Sequence, residues 1–371
     1  MRLQPQIERL YAQLVTELSK YAPTEHFLSQ RTIMRRYDVN LRVVTGALNR
    51  MVDEGLIESV RGLGFFCRRS RDFNGKMLFY AIPDWPSPEV SELTALLEAE
   101  ANARTDFRLI KHKYDPESLL FDRWPVRQSD AILLVGDSRS FSANDLKFLL
   151  ELDKPVVACC KSLTDGPLST VNFDNIGGGM LAAEYLISHG CQRLIAIQSE
   201  PPLSDIVERI DAFCHYAKLR KIPCVKIDCR AESGEKGSVR AEEILKKYLR
   251  KYGRNFDAIF VDCYSSAPGV YSALAAEHLR IPEDVSVISF DGFGADSTCH
   301  PALTTVGIER SKVAKLLFDQ LSLLCSGNIP HFALRLPMEL HERESVVTRA
   351  MCNVQGAIAA AAPPYSGLTA D

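Results

Sequence analysis

Apolar residues in the first 70 positions recur at the three-and-four spacing of a helix face, then give way to two short β-prone runs. Ile7, Leu10, Tyr11, Leu14, Val15 and Leu18 form one stripe over residues 5–20. Ser29 stands as the N-cap of a short helix running to Tyr37, with Ile33 and Tyr37 turned inward. Asp38-Val39 makes a turn, and Asn40 is a second capping residue. The helix after it spans 41 to about 54, with Val44, Ala47, Leu48 and Met51 buried and Gly55 at the C′ position. Residues 56–60 and 65–68 read as strands, and Arg61-Gly62-Leu63-Gly64 between them suits a hairpin tip.

Residues 68–76 are polar and read as a linker, with 71–76 joining a head (1–70) to a body (77–350). In the body, apolar strands alternate with amphipathic helices. MLFYAI precedes a helix over 89–104, AILLVG precedes one over 143–152, and PVVACC follows. LIAIQS, DAIFVD and VSVISFD continue the series, with helices near 178–189, 205–220, 236–251 and 267–279. This alternation predicts an α/β fold of open parallel sheets, and about 270 residues fits two lobes. The Ala/Pro/Gly-rich stretch 351–371 predicts a disordered tail.

Composition narrows the classes. The 46% hydrophobic and 25% charged content is that of a soluble globular protein. No apolar run approaches the roughly 18 residues of a bilayer span, and the N-terminus lacks a secretory signal, so a cytoplasmic location is expected. The 11 cysteines show no metal-like spacing, and reduced thiols are expected. The overall charge of -3 hides an asymmetry: residues 1–76 hold 13 Lys+Arg against 8 Asp+Glu, a net +5. A basic head on an acidic body points to a polyanionic partner at the head alone.

Helix, helix-turn-helix and hairpin in this order make a winged helix, whose third helix enters the major groove of duplex DNA by its N-terminal end. That surface carries Ser29, Arg31, Asn40, Arg42, Thr45 and Asn49, with Arg61 and Gly62 at the wing tip. The run from Phe27-Leu28-Ser29-Gln30-Arg31 through Tyr37-Asp38-Val39-Asn40, Val44, Ala47-Leu48 and Leu56-Ile57 to Gly62-Leu63-Gly64-Phe65 resembles the GntR winged-helix domain over about 65 residues. The resemblance implies dimeric, sequence-specific DNA binding. Where that family carries arginines, this chain has Leu41 and Thr45, which shifts base reading toward Arg42, Asn49 and Arg61.

In open α/β sheets ligands bind at the carboxyl ends of strands. The residues placed there are Asp84 and Trp85, Cys160 and Lys161, the loop leading to Arg209, and Asp291-Gly292. An aromatic plate, an arginine fork and a carboxylate suit a polar small ligand. The segments 171–175, 185–194 and 257–260 resemble the sensing domain of the LacI/GalR repressors. So do Ile281-Pro282-Glu283-Asp284-Val285-Ser286-Val287-Ile288-Ser289-Phe290-Asp291 and 300–306. The resemblance implies a two-lobed, periplasmic-binding-protein-like sensor with an effector between the lobes, dimerisation through the body, and effector contacts at Arg209 and Asp291. Cys160 and Cys263-Tyr264 replace polar positions of that family, which weakens the case for a plain sugar. Arabinose-type repressors join the same two parts, which keeps a sugar in view.

Enzyme readings fare worse. Gly136-Asp137-Ser138-Arg139-Ser140 lacks the second glycine of a nucleophile elbow. Gly177-Gly178-Gly179 is neither a P-loop nor a dinucleotide fingerprint, and close backbone packing explains it better than phosphate binding. Nothing in the sequence brings Asp174 and Asp291 together as a catalytic pair. The expectation is a DNA-binding regulator, most simply a repressor, with no cofactor, no metal and no catalytic residues, binding a pseudo-palindromic operator as a homodimer under control of a small molecule. The alternatives are an effector-independent regulator, or an α/β binder or enzyme whose winged helix makes protein contacts.

Overall fold

The computed structural model describes residues 3–18, 20–21, 25–53, 56–67, 75–84, 88–115, 124, 126, 129–135, 142–159, 168–232, 235–292 and 299–349. Gly55, Trp85, Cys160, Lys161, the 136–140 segment, residues 71–74 of the linker and the tail from Met351 lie outside these residues.

The head contains α1 (Leu3–Leu18), α2 (Gln30–Tyr37), α3 (Leu41–Asp53), β1 (Ile57–Val60) and β2 (Gly64–Cys67). Each α2 and α3 start is fixed by a side chain standing in for a missing carbonyl. Ser29 Oγ accepts from the Thr32 amide, and Asn40 Oδ1 accepts from the Val43 amide at 3.1 Å. The helical stripes meet as expected: Leu10, Leu14, Ile33, Val44, Ala47, Leu48 and Met51 share one core with Phe27 and Ile57. Strands β1 and β2 pair antiparallel from Ile57 with Cys67 to Val60 with Gly64, closing on a tip where Gly62 has a φ of 83°.

The body begins with β3 (Lys76–Pro83), one residue inside the expected linker. The first lobe adds α4 (Pro88–Ala103), β4 (Phe107–Tyr114), β5 (Ala131–Val135), α5 (Ala143–Glu151), β6 (Val156–Cys159) and β7 (Ser169–Phe173). The second lobe takes α6 (Asn175–Ser188), β8 (Leu194–Gln198), α7 (Ser204–Leu219), β9 (Cys224–Asp228), α8 (Gly237–Tyr252), β10 (Ala258–Val261), α9 (Ala267–Ala276), β11 (Ser286–Phe290) and β12 (Thr304–Gly307). The chain then supplies α10 (Arg310–Cys325) and β13 (Ala333–Leu336) to the first lobe, and β14 (Glu339–His341) to the second.

Two six-stranded sheets result, ordered β13-β7-β6-β5-β3-β4 and β14-β12-β11-β10-β8-β9. All pairings are parallel except β12 with β14. Both faces of each sheet are covered, which is why the central strands are apolar without alternation. In β3, Leu78, Tyr80 and Ile82 pack toward α4 and α10, while Met77, Phe79 and Ala81 face the layer containing α5. In the second lobe α8 and α9 cover one face, and α6 and α7 the other. The chain passes between the lobes three times: from β7 to α6, from β12 to α10, and from β13 to β14.

The triple glycine is a packing device, as the sequence suggested. Asp174 caps α6, its Oδ1 accepting from the Gly177 amide at 3.0 Å, so a carboxylate of the chain already fills the place of a bound anion. A Cβ on Gly178 would lie 2.6 Å from the Phe290 ring, and one on Gly179 would lie 2.2 Å from the Arg209 carbonyl oxygen. Helices α6 and α7 therefore pack backbone to backbone at Gly179. Gly179→Ala is expected to destabilise the protein by about 1–3 kcal/mol through overpacking, despite the gain in helix propensity. Urea unfolding measures this, and an unshifted midpoint would show that the two helices yield freely.

Candidate functional site

Two adjoining cavities of about 160 Å³ and about 410 Å³ open between the lobes and share Glu89, Asp205, Arg209 and Asp291 in their walls. The first lobe contributes Glu89 from the first turn of α4, Asn172 and Phe173 from the end of β7, and Arg335 from β13. The second contributes Asp205 and Arg209 from α7 and Asp291 after β11. Glu89 and Asp205 open helices, Phe173 closes a strand and Asp291 follows one, the ends at which open parallel sheets bind ligands.

Arg209 is the centre of the wall, at 4% exposure. Its Nε and Nη2 donate to Asn175 Oδ1 at 3.2 and 2.8 Å. Nη1 donates to the Asp262 carbonyl at 2.9 Å and reaches Asp291 Oδ2 at 3.4 Å, while Asp205 lies 3.6 Å from Nη2. The guanidinium carbon sits 3.9 Å from the centre of the Phe290 ring. Burial opposes the charge, but the Asp291 and Asp205 carboxylates outweigh it and hold Arg209 protonated.

Asp291 adopts a φ of 64°, a left-handed conformation that Asp and Asn tolerate and bulky residues resist. Its second oxygen, Oδ1, lies 3.6 Å from Nη2 of Arg310, which also pairs with Glu92 at 2.6 Å. Arg310 opens α10 and Glu92 lies on α4, so this chain of charges links second-lobe Asp291 to first-lobe helices. A second tie is the Cys263 thiol, which donates to Glu89 Oε1 at 2.8 Å and contacts Ser265 Oγ at 3.1 Å. Burial first, then the nearby carboxylates, pushes that thiol well above its ordinary range, so it stays a donor.

Beside it lies an acidic group. Asp262 is fully buried and accepts from the Ser199 amide at 2.8 Å, the Glu200 amide at 3.0 Å and the Ser199 hydroxyl. Burial pushes its carboxyl up to about 6 against the lowering effect of those donors. The Glu200 carboxyl, with no side-chain partner among the described residues, is pushed up to about 8, by burial and then by Asp262 and Glu89. The cleft thus combines a saturated Arg209 with the Glu200 carboxyl, which holds its proton at neutrality, so its wall can both donate and accept hydrogen bonds.

The sequence-based placements divide clearly. Arg209, Asp291 and Cys263 come together in the cleft. Asp84 does not: its side chain is exposed, pairs with Lys113 at 3.1 Å, and lines neither cavity. It was expected at the ligand because it follows β3, but its neighbour in the sheet is the edge strand β4, and it serves that edge. Trp85 and Cys160 fall outside the described residues. Asp174 is occupied as a helix cap and forms no pair with Asp291. Glu89, Asn175, Glu200, Asp262 and Arg310 were not anticipated as site residues, although Asn175 lies in the 171–175 segment, Glu200 follows LIAIQS and Asp262 ends DAIFVD.

On the head, Ser29 and Asn40 act as helix caps, their oxygens directed at their own backbone. Arg31, Arg42, Asn49, Arg61 and Gly62 are exposed and Thr45 is half-buried. Two of the head arginines are tied to carboxylates of α1. Arg36 pairs with Glu17 at 2.8 Å, and Arg50 pairs with Glu8 and lies 4.0 Å over Tyr11. Among the described residues, Arg31, Arg42 and Arg61 have neither hydrogen bond nor ion pair. Leu41, 51% exposed, stands at the start of α3 beside Arg42.

Residues 183–346 match the family model of the periplasmic binding protein-like domain. The chain is 25% identical over 263 residues, 66% of its length and 73% of the relative's, to the HTH-type transcriptional repressor CytR of Escherichia coli (strain K12). It is 21% identical over 294 residues, 74% of its length and 84% of the relative's, to a ribose operon repressor of Halalkalibacterium halodurans. Among solved structures, a LacI family transcriptional regulator from Enterococcus faecium with bound ribose aligns at a TM-score of 0.62 and 21% identity, covering 74% of this chain and all of that one. The lac repressor dimer bound to operator and an anti-inducer aligns at 0.61 and 17%, covering 74% and 94%. The body has the two-lobed periplasmic-binding-protein-like fold. No described helix is long and apolar enough to cross a membrane.

The raised Glu200 carboxyl has a consequence for stability. Its ordinary value is 4.5, so the unfolded chain releases this proton early while the native protein keeps it to about 8. The native state binds more protons between those limits, and stability falls as pH rises through them. The Tm of the ligand-free protein is expected to drop from about pH 5 to about pH 8, and Glu200→Gln to flatten the decline. Equal slopes in the two proteins would mean that this carboxyl titrates as it does in water.

Proposed function

We propose that the protein is a sequence-specific DNA-binding regulator, acting as a repressor, whose operator affinity is set by a small molecule held between the two lobes. The observation that carries the reading is the surface of α3 and the hairpin. The buried face of α3 is used up by the head core, and Arg42 at its start, Arg31 on α2 and Arg61 on the hairpin are unpaired among the described residues, while Arg36 and Arg50 are tied to Glu17 and Glu8. Free cations at a helix N-terminus and a loop tip match the requirements of a groove and its phosphates.

On this reading residues 1–70 form a winged helix-turn-helix of GntR type, 71–76 a linker, 77–350 the sensor, and 351–371 a disordered tail. The antiparallel hairpin directly after α3 supports the winged type. The protein acts as a homodimer on a pseudo-palindromic operator, and the chemistry stays with DNA and ligand binding rather than catalysis. Repressors among its relatives and a ribose-bound structural neighbour favour a small polyhydroxylated effector. Arg209, Asp291 and Cys263 would face it. A ligand that binds one lobe spacing better than the other shifts DNA affinity by its differential binding, typically about 1–3 kcal/mol.

Selection of bound sequences from random duplex DNA, followed by anisotropy titration, tests the head. Arg42→Ala and Arg61→Ala are each expected to weaken binding by about 1–3 kcal/mol where a bidentate base contact is lost. Wild-type affinity in both would remove α3 and the hairpin from the interface. Asp291→Asn keeps the left-handed backbone and removes the charge. It is expected to abolish the shift in DNA affinity produced by a sugar that raises the wild-type Tm, with DNA binding itself intact; a full response would place the ligand elsewhere.

A further inference from the structure

Outside the cleft, one pair of reactive side chains has been brought together without a structural need for it. Cys214 lies on α7 and Cys224 begins β9, and their sulfurs are 3.7 Å apart. β9 is the edge strand of its sheet, paired on one side only, so the sulfurs lie at the margin of the core and both residues are half-buried. We propose that Cys214 and Cys224 form a reversible intramolecular disulfide on exposure to a hydroperoxide.

The two thiols are unequal in the way such a reaction requires. The hydrogen bond from Cys224 favours the Cys214 thiolate, and it outweighs burial with help from the Lys226 ammonium; the same contact pushes Cys224 up. Lys226 is itself held at this edge by Asp211 at 3.0 Å. Burial raises the Cys67 thiol to about 12 and the Cys191 thiol to about 11, which leaves both poor nucleophiles. The Cys214 thiolate attacks one peroxide oxygen, the O–O bond breaks, and the leaving hydroxide or alkoxide takes a proton to become water or alcohol. The Cys214 sulfenic acid then loses its hydroxyl as water when the Cys224 sulfur attacks, with the Cys224 proton leaving in that water. Two thiols are oxidised and one peroxide is reduced. A disulfide needs the sulfurs at about 2.0 Å, an approach that side-chain rotation at an edge strand can supply. The bond would join β9 to the helix that carries Arg209.

The test uses the reduced full-length protein, stoichiometric hydrogen peroxide, alkylation of remaining thiols and tryptic mass spectrometry. The expected product is peptide 210–218 joined to peptide 222–226, lighter by two hydrogens than their sum and abolished by dithiothreitol. In Cys224→Ser the sulfenic acid on Cys214 should persist and be captured by dimedone, and in Cys214→Ser neither product should form. Recovery of both peptides separately alkylated, or oxidation of other cysteines at lower peroxide doses than this pair, would overturn the proposal. The wild-type digest decides it even if a variant fails to fold.

Discussion

A guanidinium taken out of water must be answered on every side, since an unpaired charge in the interior costs several kcal/mol. In the second lobe that requirement falls on Arg209, and the groups that answer it come from three separate parts of the chain. Asn175 begins α6, the Asp262 carbonyl follows β10, Asp291 follows β11, and Phe290 supplies the plane beneath. Satisfying one side chain therefore fixes the relative heights of two strand ends and two helices. Gly179 completes the arrangement by letting α6 approach the Arg209 backbone, which a methyl group would block. Positioning of the cleft wall and packing of the lobe are the same problem here, solved by the same residues.

Electrostatics also divides the head into two functions. Glu8 and Glu17 on α1 anchor Arg50 and Arg36, holding the helices around their core. Such exposed pairs contribute modestly to stability, yet they set which cations are neutralised within the protein. Arg31, Arg42 and Arg61 are left with their full hydrogen-bonding capacity outward, beside an apolar Leu41. In the proposed DNA contact, an apolar group at a helix start suits a thymine methyl, while its arginine neighbours suit guanine edges and phosphates.

Elements with strong periodicity were legible in the sequence: the three head helices, the hairpin, and the central strands β3, β5, β6, β8, β10 and β11. Those that escaped notice sit at sheet margins or have mixed patterns. β4 interleaves Arg108, Lys111 and Lys113 with apolar residues because one side of it faces solvent, and β13 and β14 are three or four residues long. α10 follows β12 without a turn signature and was passed over, and with it Arg310. Arg209 and Asp291 could be found because each belongs to a recognisable pattern near a strand. Glu89, Glu200 and Asp262 could not be grouped in advance, since their meeting depends on how two lobes face each other, information that no local window contains. Asp84 shows the reverse case, a strand-end residue whose carboxylate pairs with Lys113 of the edge strand.

The three strand-to-element passages between the lobes bear on how a signal would leave the cleft. A single tether would let one lobe swivel at random. Three roughly neighbouring tethers resist twisting and sliding but permit the jaws to open and shut about one axis. Because β3 of the first lobe is the first element of the body after the head, the proposed signal to the head is the pose of that jaw. In the proposed regulator the second jaw is the handle, and the ties through Arg310 and Cys263 set how firmly it is gripped.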